Sequence, residues 1–448
     1  MHSRGHRALF LASLFLVCTF NFADRSVFAV LAQTIKPELH LTDFDLGILQ
    51  GFSFALLYAV MGLPIGRLAE RYSRIRILGI ATLVFSGATV FCGFAANFLQ
   101  MMLGRVTVGI GEAGFTPATS SLVSDHYPRE RRASAMALIM LGTPAGTLLG
   151  ALVGGWVAGS FGWRTAFFAM GVPGALVAVA VMLLLREPAR GALDGVARSS
   201  VATVPNFSAF LAAMRAKKAL FYVTLGGGLA GFGMTSISQF LAVFLARAHH
   251  LPVRGAALAF GLISAVSLTI GFLVGSYGTD YLARKDGRWP AWGSAIGLSS
   301  APLIYWIAFR TVDTPMACVL LTLAGTLMLV FYGPTIGMIQ NMLEPRMRAT
   351  GTAVFAIFYT VFGAGLGPVF VGWMSDRIAT ASFPAGAYLT SCGHGRSAPD
   401  LAEACMQASA EGVRGALTIA VCVLFVAGCL YLIGSRYLRQ DQYRPGAP

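Results

Sequence analysis

Apolar runs of roughly 18 or more residues recur from one end of this 448-residue chain to the other. A segment that crosses lipid must satisfy its own backbone N–H and C=O groups, and a helix does so within one run. Composition agrees with spans: 56% of the residues are hydrophobic and 12% charged, against about 25% charged in an ordinary soluble domain. Twelve spans follow. They lie near 8–34, 45–68, 76–96, 98–124, 133–158 and 164–185 in the first half. In the second half they lie near 218–247, 254–283, 290–310, 313–342, 348–377 and 413–436. The first run is too long for a cleavable leader, carries Asp24 and Arg25, and lacks a small-residue cleavage site. The expected fold is an all-α membrane protein, a bundle of 12 transmembrane helices in two pseudo-symmetric six-helix halves.

The formal charge of +14 would suit a nucleic-acid partner, but its distribution says otherwise. With both termini placed in the cytoplasm, roughly two thirds of the 33 Lys and Arg fall on inside segments, and Arg25 and Arg105 lie within the membrane. The positive-inside rule explains the basic balance, and no nucleic acid is expected.

Asn21-Phe22-Ala23-Asp24-Arg25 interrupts the first span with an acid and a base. Each costs roughly 2.5–3.5 kcal/mol at a helix centre on insertion scales. Arg25 stays protonated, so it needs an anionic partner or a wet cavity. The fourth span carries a second pair, Arg105 and Glu112, two helical turns apart on one face. At roughly 1.5 Å per residue, Arg105 lies about 10 Å below the outer boundary, Asp24 about 15 Å and Glu112 about 21 Å. If spans one and four are neighbours, the first pair falls between the members of the second and four charges cancel. Gly109-x-Gly111-x-x-Gly114 in the same stretch imitates a dinucleotide fingerprint. It lies mid-span with no preceding strand, so it reads as packing glycines.

Gly66-Arg67-Leu68-Ala69-Glu70-Arg71-Tyr72-Ser73-Arg74-Ile75-Arg76 joins spans two and three. Anchoring explains the arginines but not Glu70. The expectation is a charge latch with Gly66, Glu70, Arg71, Arg74 and Asp125 as gating residues. Glu70 would face a helix N-terminus or an arginine, and Asp125 would partner Arg74.

The halves repeat weakly. Pro128-Arg129-Glu130-Arg131-Arg132-Ala133 precedes span five, and Pro345-Arg346-Met347-Arg348-Ala349-Thr350 precedes span eleven. Residues 1–186 and 218–448 form the two bundles. Residues 187–217 are a cytoplasmic linker in which Asn206-Phe207-Ser208-Ala209-Phe210-Leu211 begins an amphipathic helix, expected on the membrane surface. The glycines of span five (Gly142, Gly146, Gly150, Gly154, Gly155) and the Gly-Pro stretch of span eleven permit bending and tight crossing. Gly226-Gly227-Gly228 and Gly231-Phe232-Gly233 predict a weak or broken span seven. Ser236, Gln239, Ser264, Tyr332, Gln340, Asn341 and Tyr359 are candidate cavity-lining or interhelical polar groups. Cys392 and Cys405 share a long outside loop, near 379–412, where they are free thiols or a disulfide. No histidine pairs with a Cys or acid at catalytic or metal spacing inside a span, so neither enzyme chemistry nor a cofactor is expected.

The chain resembles the major facilitator superfamily over nearly its whole length. The Gly66–Arg76 loop is similar to that superfamily's signature, with Glu70 where the signature has aspartate. Asn21-x-x-Asp24-Arg25, Arg105-x3-Gly109-x-Gly111-Glu112-Ala113, Pro144-x-Gly146 and Arg186-Glu187-Pro188-x-Arg190-Gly191 together resemble the spinster branch. That resemblance implies alternating access, movement of a lysophospholipid or sphingolipid phosphate, and Asp24, Arg25, Arg105 and Glu112 as the polar core that carries substrate and protons. Organic anion symporters of the same superfamily share the Asp-Arg and Gly-x-x-Glu-Ala elements, so small organic anions are the alternative cargo, with multidrug export a further one. A receptor or scaffold without flux is the reading from another class. A monomer in the plasma (bacterial inner) membrane, surrounded by membrane lipids, is expected.

Overall fold

The computed structural model describes residues 4–188, 207–344, 347–383, 388–393 and 399–443. Among these residues all regular structure is helical, and ten helical segments are long and apolar enough to cross a membrane. They are Ala8–Glu38 (span one), Asp43–Ala69 (two), Arg74–Gly93 (three), Ser134–Phe161 (five), Trp163–Leu184 (six), Lys218–Ala248 (seven), Val253–Ala283 (eight), Thr314–Met342 (ten), Thr350–Ser382 (eleven) and Ala402–Asp441 (twelve). Span four, in two pieces, Phe98–Glu112 and Phe115–His126, and span nine, Trp289–Ala308, complete the twelve.

Local chemistry sets the helix ends. Thr42 and Asp45 form a reciprocal capping box at the start of span two, with Asp45 N–H donating to Thr42 Oγ1 at 3.1 Å and Thr42 N–H to Asp45 Oδ2 at 2.8 Å. Asn97 caps span four through Gln100 N–H at 2.9 Å, and Asp313 caps span ten through Met316 N–H at 2.9 Å. Prolines set the breaks. Pro117, Pro144 and Pro334 have no N–H to donate to the carbonyls of Ala113, Met140 and Val330, four residues earlier. At those places spans four, five and ten divide into Phe98–Glu112 and Phe115–His126, Arg129–Met140 and Gly142–Phe161, and Thr314–Leu329 and Tyr332–Met342. Spans two, eight and eleven contain wider π-helical turns at Ile48–Phe52, Val274–Gly278 and Tyr359–Leu366.

Two sequence expectations need correction, and one linker residue is placed. Span seven is one unbroken helix, Lys218–Ala248. Its glycines receive rings instead of breaking the helix: a Cβ on Gly227 would meet the Phe355 ring at 2.6 Å, and one on Gly231 the Tyr359 ring at 2.6 Å. The supposed loop near 379–412 is largely helical where described. Span eleven continues to Ser382 and span twelve starts at Ala402, and a disulfide joins Cys392 to Cys405 with the Cα atoms 5.5 Å apart. In the linker helix, Phe207–Ala216, Leu211 stays exposed while Phe210 turns inward. Phe210 is 2% exposed and inserts into the core of the second half, near Gly351. The rest of the linker, 189–206, with Arg190 and Gly191, lies outside the described residues, as do Pro345 and Arg346.

The two halves join at the end where span one finishes, called here the Glu38 end. Arg247 and Ser375 of the second half bond to Gln33 and Asp43 of the first, and Arg254 donates to Ser160. Gly51 lies against the carbonyls of Ala364 and Gly365, and Gly261 against Ala151. At the opposite end a separate cluster of Phe10, Leu14, Ile75, Leu78, Phe115 and Leu122 contains buried residues of the first half only.

Candidate functional site

Span five presses span one into place. A Cβ on Gly146 or Gly150 would run into the backbone of Thr19 or Ala23, so only glycine lets the helices approach this closely. That contact fixes the residue next to Asp24. Side chains on a helix lean toward its N-terminus, and the long Arg25 stem reaches that way to span four. Arg25 Nε donates to Glu112 Oε2 at 2.7 Å, and a second guanidinium nitrogen bridges the same oxygen. Asp24 does not pair with its neighbour. It accepts from Arg105 Nη1 at 3.2 Å and from the Thr89 hydroxyl of span three. Arg105 Nε also donates to the Leu49 carbonyl, 3.3 Å away, in the π-helical turn of span two. Two crossed ion pairs therefore tie spans one and four, with all four charges on the first half.

Their exposures differ. Asp24, Arg105 and Glu112 are 3%, 1% and 1% exposed, whereas the Arg25 side chain keeps 28% of its surface. Its guanidinium carbon lies 4.3 Å from the Phe54 ring centroid, 5.2 Å from Phe22 and 5.6 Å from Tyr58. In the second half, Tyr332 and Tyr359 form a separate aromatic pair. Those two rings meet edge to face at 5.8 Å, with Phe272 stacked on Tyr332 and Phe355 near Tyr359. The four charges and the rings around Arg25 thus lie on the first half, and a second aromatic group lies on the second. Glu112 Oε1, Asn21 Nδ2 and both amide atoms of Gln50 are buried without a partner among the described residues. Of the other polar candidates in the second half, Ser236 is fully buried against Gly367, Gln239 and Ser264 are half-buried, and Gln340 and Asn341 are exposed.

At the Phe10 end, Arg74 is 2% exposed and draws three segments together. It pairs with Asp125 of span four, donates through Nη1 to Ser121 Oγ at 2.9 Å, and through Nε to Glu187 Oε1 at 2.7 Å. Glu187 also accepts from Ser73 Oγ at 2.8 Å and Ile75 N–H at 3.0 Å. Burial would raise the Glu187 carboxyl, but the Ile75 N–H, Arg74 and Ser73 together hold it below the usual carboxylate range. Glu187 is a member that the latch expected from sequence did not include. Arg71 is exposed, a Cβ on Gly66 would lie 3.9 Å from Pro117, and the Glu70 side chain lies outside the described residues.

The Glu38 end holds a third cluster, missed because its charges sit at span ends, where the sequence supplies ordinary anchoring residues. Asp43 accepts from Lys36 Nζ at 2.6 Å, from Arg247 Nη1 and Nη2 at 2.6 and 2.7 Å, and from Ser375 Oγ at 2.7 Å. Asp376 accepts from the Asp43 and Phe44 N–H groups at 3.2 and 2.8 Å, across the interface between halves. The adjacent Asp-Phe-Asp at the head of span two is the only sequence signal for it.

This arrangement, twelve spans in two halves with a charged centre, defines a membrane transporter. Residues 14–368 match the model of the Major Facilitator Superfamily, and the chain belongs to that family. An "MFS-type efflux pump" of Mycolicibacterium smegmatis is 32% identical, with 82% of this chain and 83% of that protein aligned. "Protein spinster homolog 1" of Xenopus tropicalis is 25% identical over 85% of this chain and 75% of its own length. A solved bacterial homolog of the human lysosomal transporter Spinster, described as inward-facing and unoccupied, superposes with a TM-score of 0.86 at 32% identity, covering 99% of this chain and all of that one. Its occupied, inward-facing form gives 0.87 at 31% identity over the same coverage. Within the superfamily the chain is of the spinster type, an integral membrane transporter and not an enzyme.

Proposed function

We propose that the protein moves an amphipathic anion, a lysophospholipid or sphingolipid phosphate, by proton-linked alternating access. The observation that carries this reading is the exposure of Arg25. It alone of the four central charges keeps substantial exposure, 28% of its side chain, and the rings of Phe22, Phe54 and Tyr58 surround its guanidinium. A guanidinium suits an oxyanionic head and the rings suit an acyl chain. Arg105 is too deeply committed to Asp24 and Leu49 to serve first. Glu112 competes with cargo for Arg25. Protonating Glu112, whose second oxygen has no partner among the described residues, releases Arg25 to the head group and links proton to cargo. Asp24 plays the same part toward Arg105.

Residues 1–186 and 218–448 act as the rocking bodies, tethered by 187–217. Gly66, Glu70, Arg71, Arg74 and Asp125 are the gate at the Phe10 end, which this reading puts in the cytoplasm with both termini. The efflux-pump relative favours a second reading, export of other amphipathic compounds. Proteoliposomes offered a long-chain lysophosphatidate, short carboxylates and cationic drugs separate these. Saturable flux of the long-chain anion, lost in Arg25→Ala, is expected. Flux of short acids or cations instead, or anion binding undiminished in Arg25→Ala, rejects the proposal.

A further inference from the structure

A cavity of about 180 Å³ lies at the Glu38 end, between spans one and seven, the segment of Tyr388 and Cys392, and the start of span twelve, to which the Cys392–Cys405 disulfide ties it. Lys36, Arg247, Gln33, His250, Tyr388 and Ser409 line it. Two of these are cations, 2% and 7% exposed, and the others carry polar groups able to donate a hydrogen bond. Among the described residues Arg247 donates to Gln33 and Asp43 through three of its five N–H groups, and Lys36 to Asp43 through one of its three. Donors remain on both side chains. The aqueous-size volume, the two cations and the mixed polar rim fit a compact oxyanion.

The partition between halves gives this cavity a second property. Lys36 and Asp43 belong to the first half, Arg247 and Asp376 to the second. When the halves part at this end, Lys36 keeps Asp43, but Arg247 loses both of its bonds to Asp43 and the one to Gln33. Asp376 loses the two backbone N–H groups that occupy both of its oxygens. The movement thus uncovers a guanidinium on one wall and a helix N-terminus with free N–H groups on the other.

We propose that this cavity is a second anion site, taking a phosphate-type oxyanion on Arg247, with Lys36 beside it while this end is closed, and that the hold of Arg247 on the anion strengthens as Arg247 separates from Asp43. It stands whatever cargo the central site carries, because it rests on none of the central residues. Asp43 is the built-in competitor, as Glu112 is at the centre.

The test uses the purified full-length protein in a neutral detergent, with Ser409→Cys as reporter. Thiol labelling at position 409 is followed by peptide mass spectrometry, with exposed Cys422 as internal reference. Inorganic phosphate and dodecyl phosphate are the probes. Either probe should slow labelling at 409 several-fold and leave Cys422 unchanged. In an Asp43→Asn background the same slowing should need at least tenfold less probe. Adding Arg247→Gln to that background should abolish it, and Arg247→Lys should restore part. Equal potency of the two probes identifies free phosphate as the ligand; much greater potency of dodecyl phosphate identifies a lipid head. A labelling rate indifferent to both probes in Asp43→Asn, or slowing that survives Arg247→Gln, overturns the proposal. A chain that fails the transport test above but passes this one has lost the cargo reading and kept the second site.

Discussion

Glu112→Gln offers the sharpest test of the central site. The substitution preserves shape and removes the charge that competes for Arg25. Two unit charges about 4 Å apart at an effective dielectric of about 20 attract by about 4 kcal/mol. The glutamine oxygen still accepts one hydrogen bond from Arg25, worth about 1 kcal/mol. That leaves about 3 kcal/mol for an incoming anion. Water at the exposed part of Arg25 takes back a share. At about 1.4 kcal/mol per decade, an amphipathic anion should then bind about 10- to 100-fold more tightly. The assay is equilibrium binding of a long-chain lysophosphatidate to detergent-purified protein at pH 5.5 and pH 8. On the proposed exchange of partners, the wild-type chain should bind more tightly at the lower pH, and Glu112→Gln should bind tightly at both. Turnover should fall, because cargo no longer has a competitor to release it. A Glu112→Gln chain that binds no more tightly than wild type, or keeps the full pH dependence, refutes the exchange of partners.

Asp24→Asn should be much more damaging to the fold than Arg25→Gln. It strands Arg105 at 1% exposure with a charge it cannot shed, a loss of about 3–5 kcal/mol, whereas the Glu112 left by Arg25→Gln can neutralise itself by taking up a proton; thermal unfolding of the two purified variants checks the order. Gly150→Val should cost about 1–3 kcal/mol by overpacking, because its side chain meets the Ala23 backbone, and anion affinity should fall with it as Asp24 and Arg25 shift. At the Phe10 end, Glu187 has a carboxyl held below the usual range. Its contribution is therefore complete above the ordinary glutamate value of about 4.3 and is lost as pH falls through the lower folded value. The difference in thermal stability between wild type and Glu187→Gln should stay flat from pH 8 to about pH 5 and shrink only below that.

Sequence made the spans legible because lipid imposes one length and one pattern on every crossing. It exposed the four central charges for the same reason: Asp24, Arg25, Arg105 and Glu112 interrupt runs that tolerate almost no charge. Their crossed pairing was not legible, since it depends on the Arg25 stem leaning back along its helix. The proline breaks could have been read, because each lies three or four residues before Pro117, Pro144 or Pro334. Span seven misled because Gly226 to Gly233 look the same in a list of residues whether they break a helix or receive Phe355 and Tyr359. Lys36, Asp43, Arg247 and Asp376 were hidden by position: charges near span ends are common, and only folding brings these four to one point.

What separates the two buried clusters is which body their members ride on. Arg25–Glu112 and Arg105–Asp24 join spans one and four of the same half, so a rocking motion leaves them intact. Their pairing can change only by chemistry at the site, by a proton or an anion. Arg247–Asp43, Ser375–Asp43 and the hold of Asp376 on span two cross between halves, so the motion must break them. Moving a two-state equilibrium from 1:99 to 99:1 takes about 5.5 kcal/mol, and charge-assisted hydrogen bonds contribute about 1.5–3 kcal/mol each. The bonds across the Glu38 end are therefore numerous enough to hold that end shut unless they find replacement partners. An anion on Arg247 is such a partner. In the proposed scheme, cargo on Arg25 at the centre and an oxyanion on Arg247 at the rim would act on different steps, the first on occupancy and the second on opening.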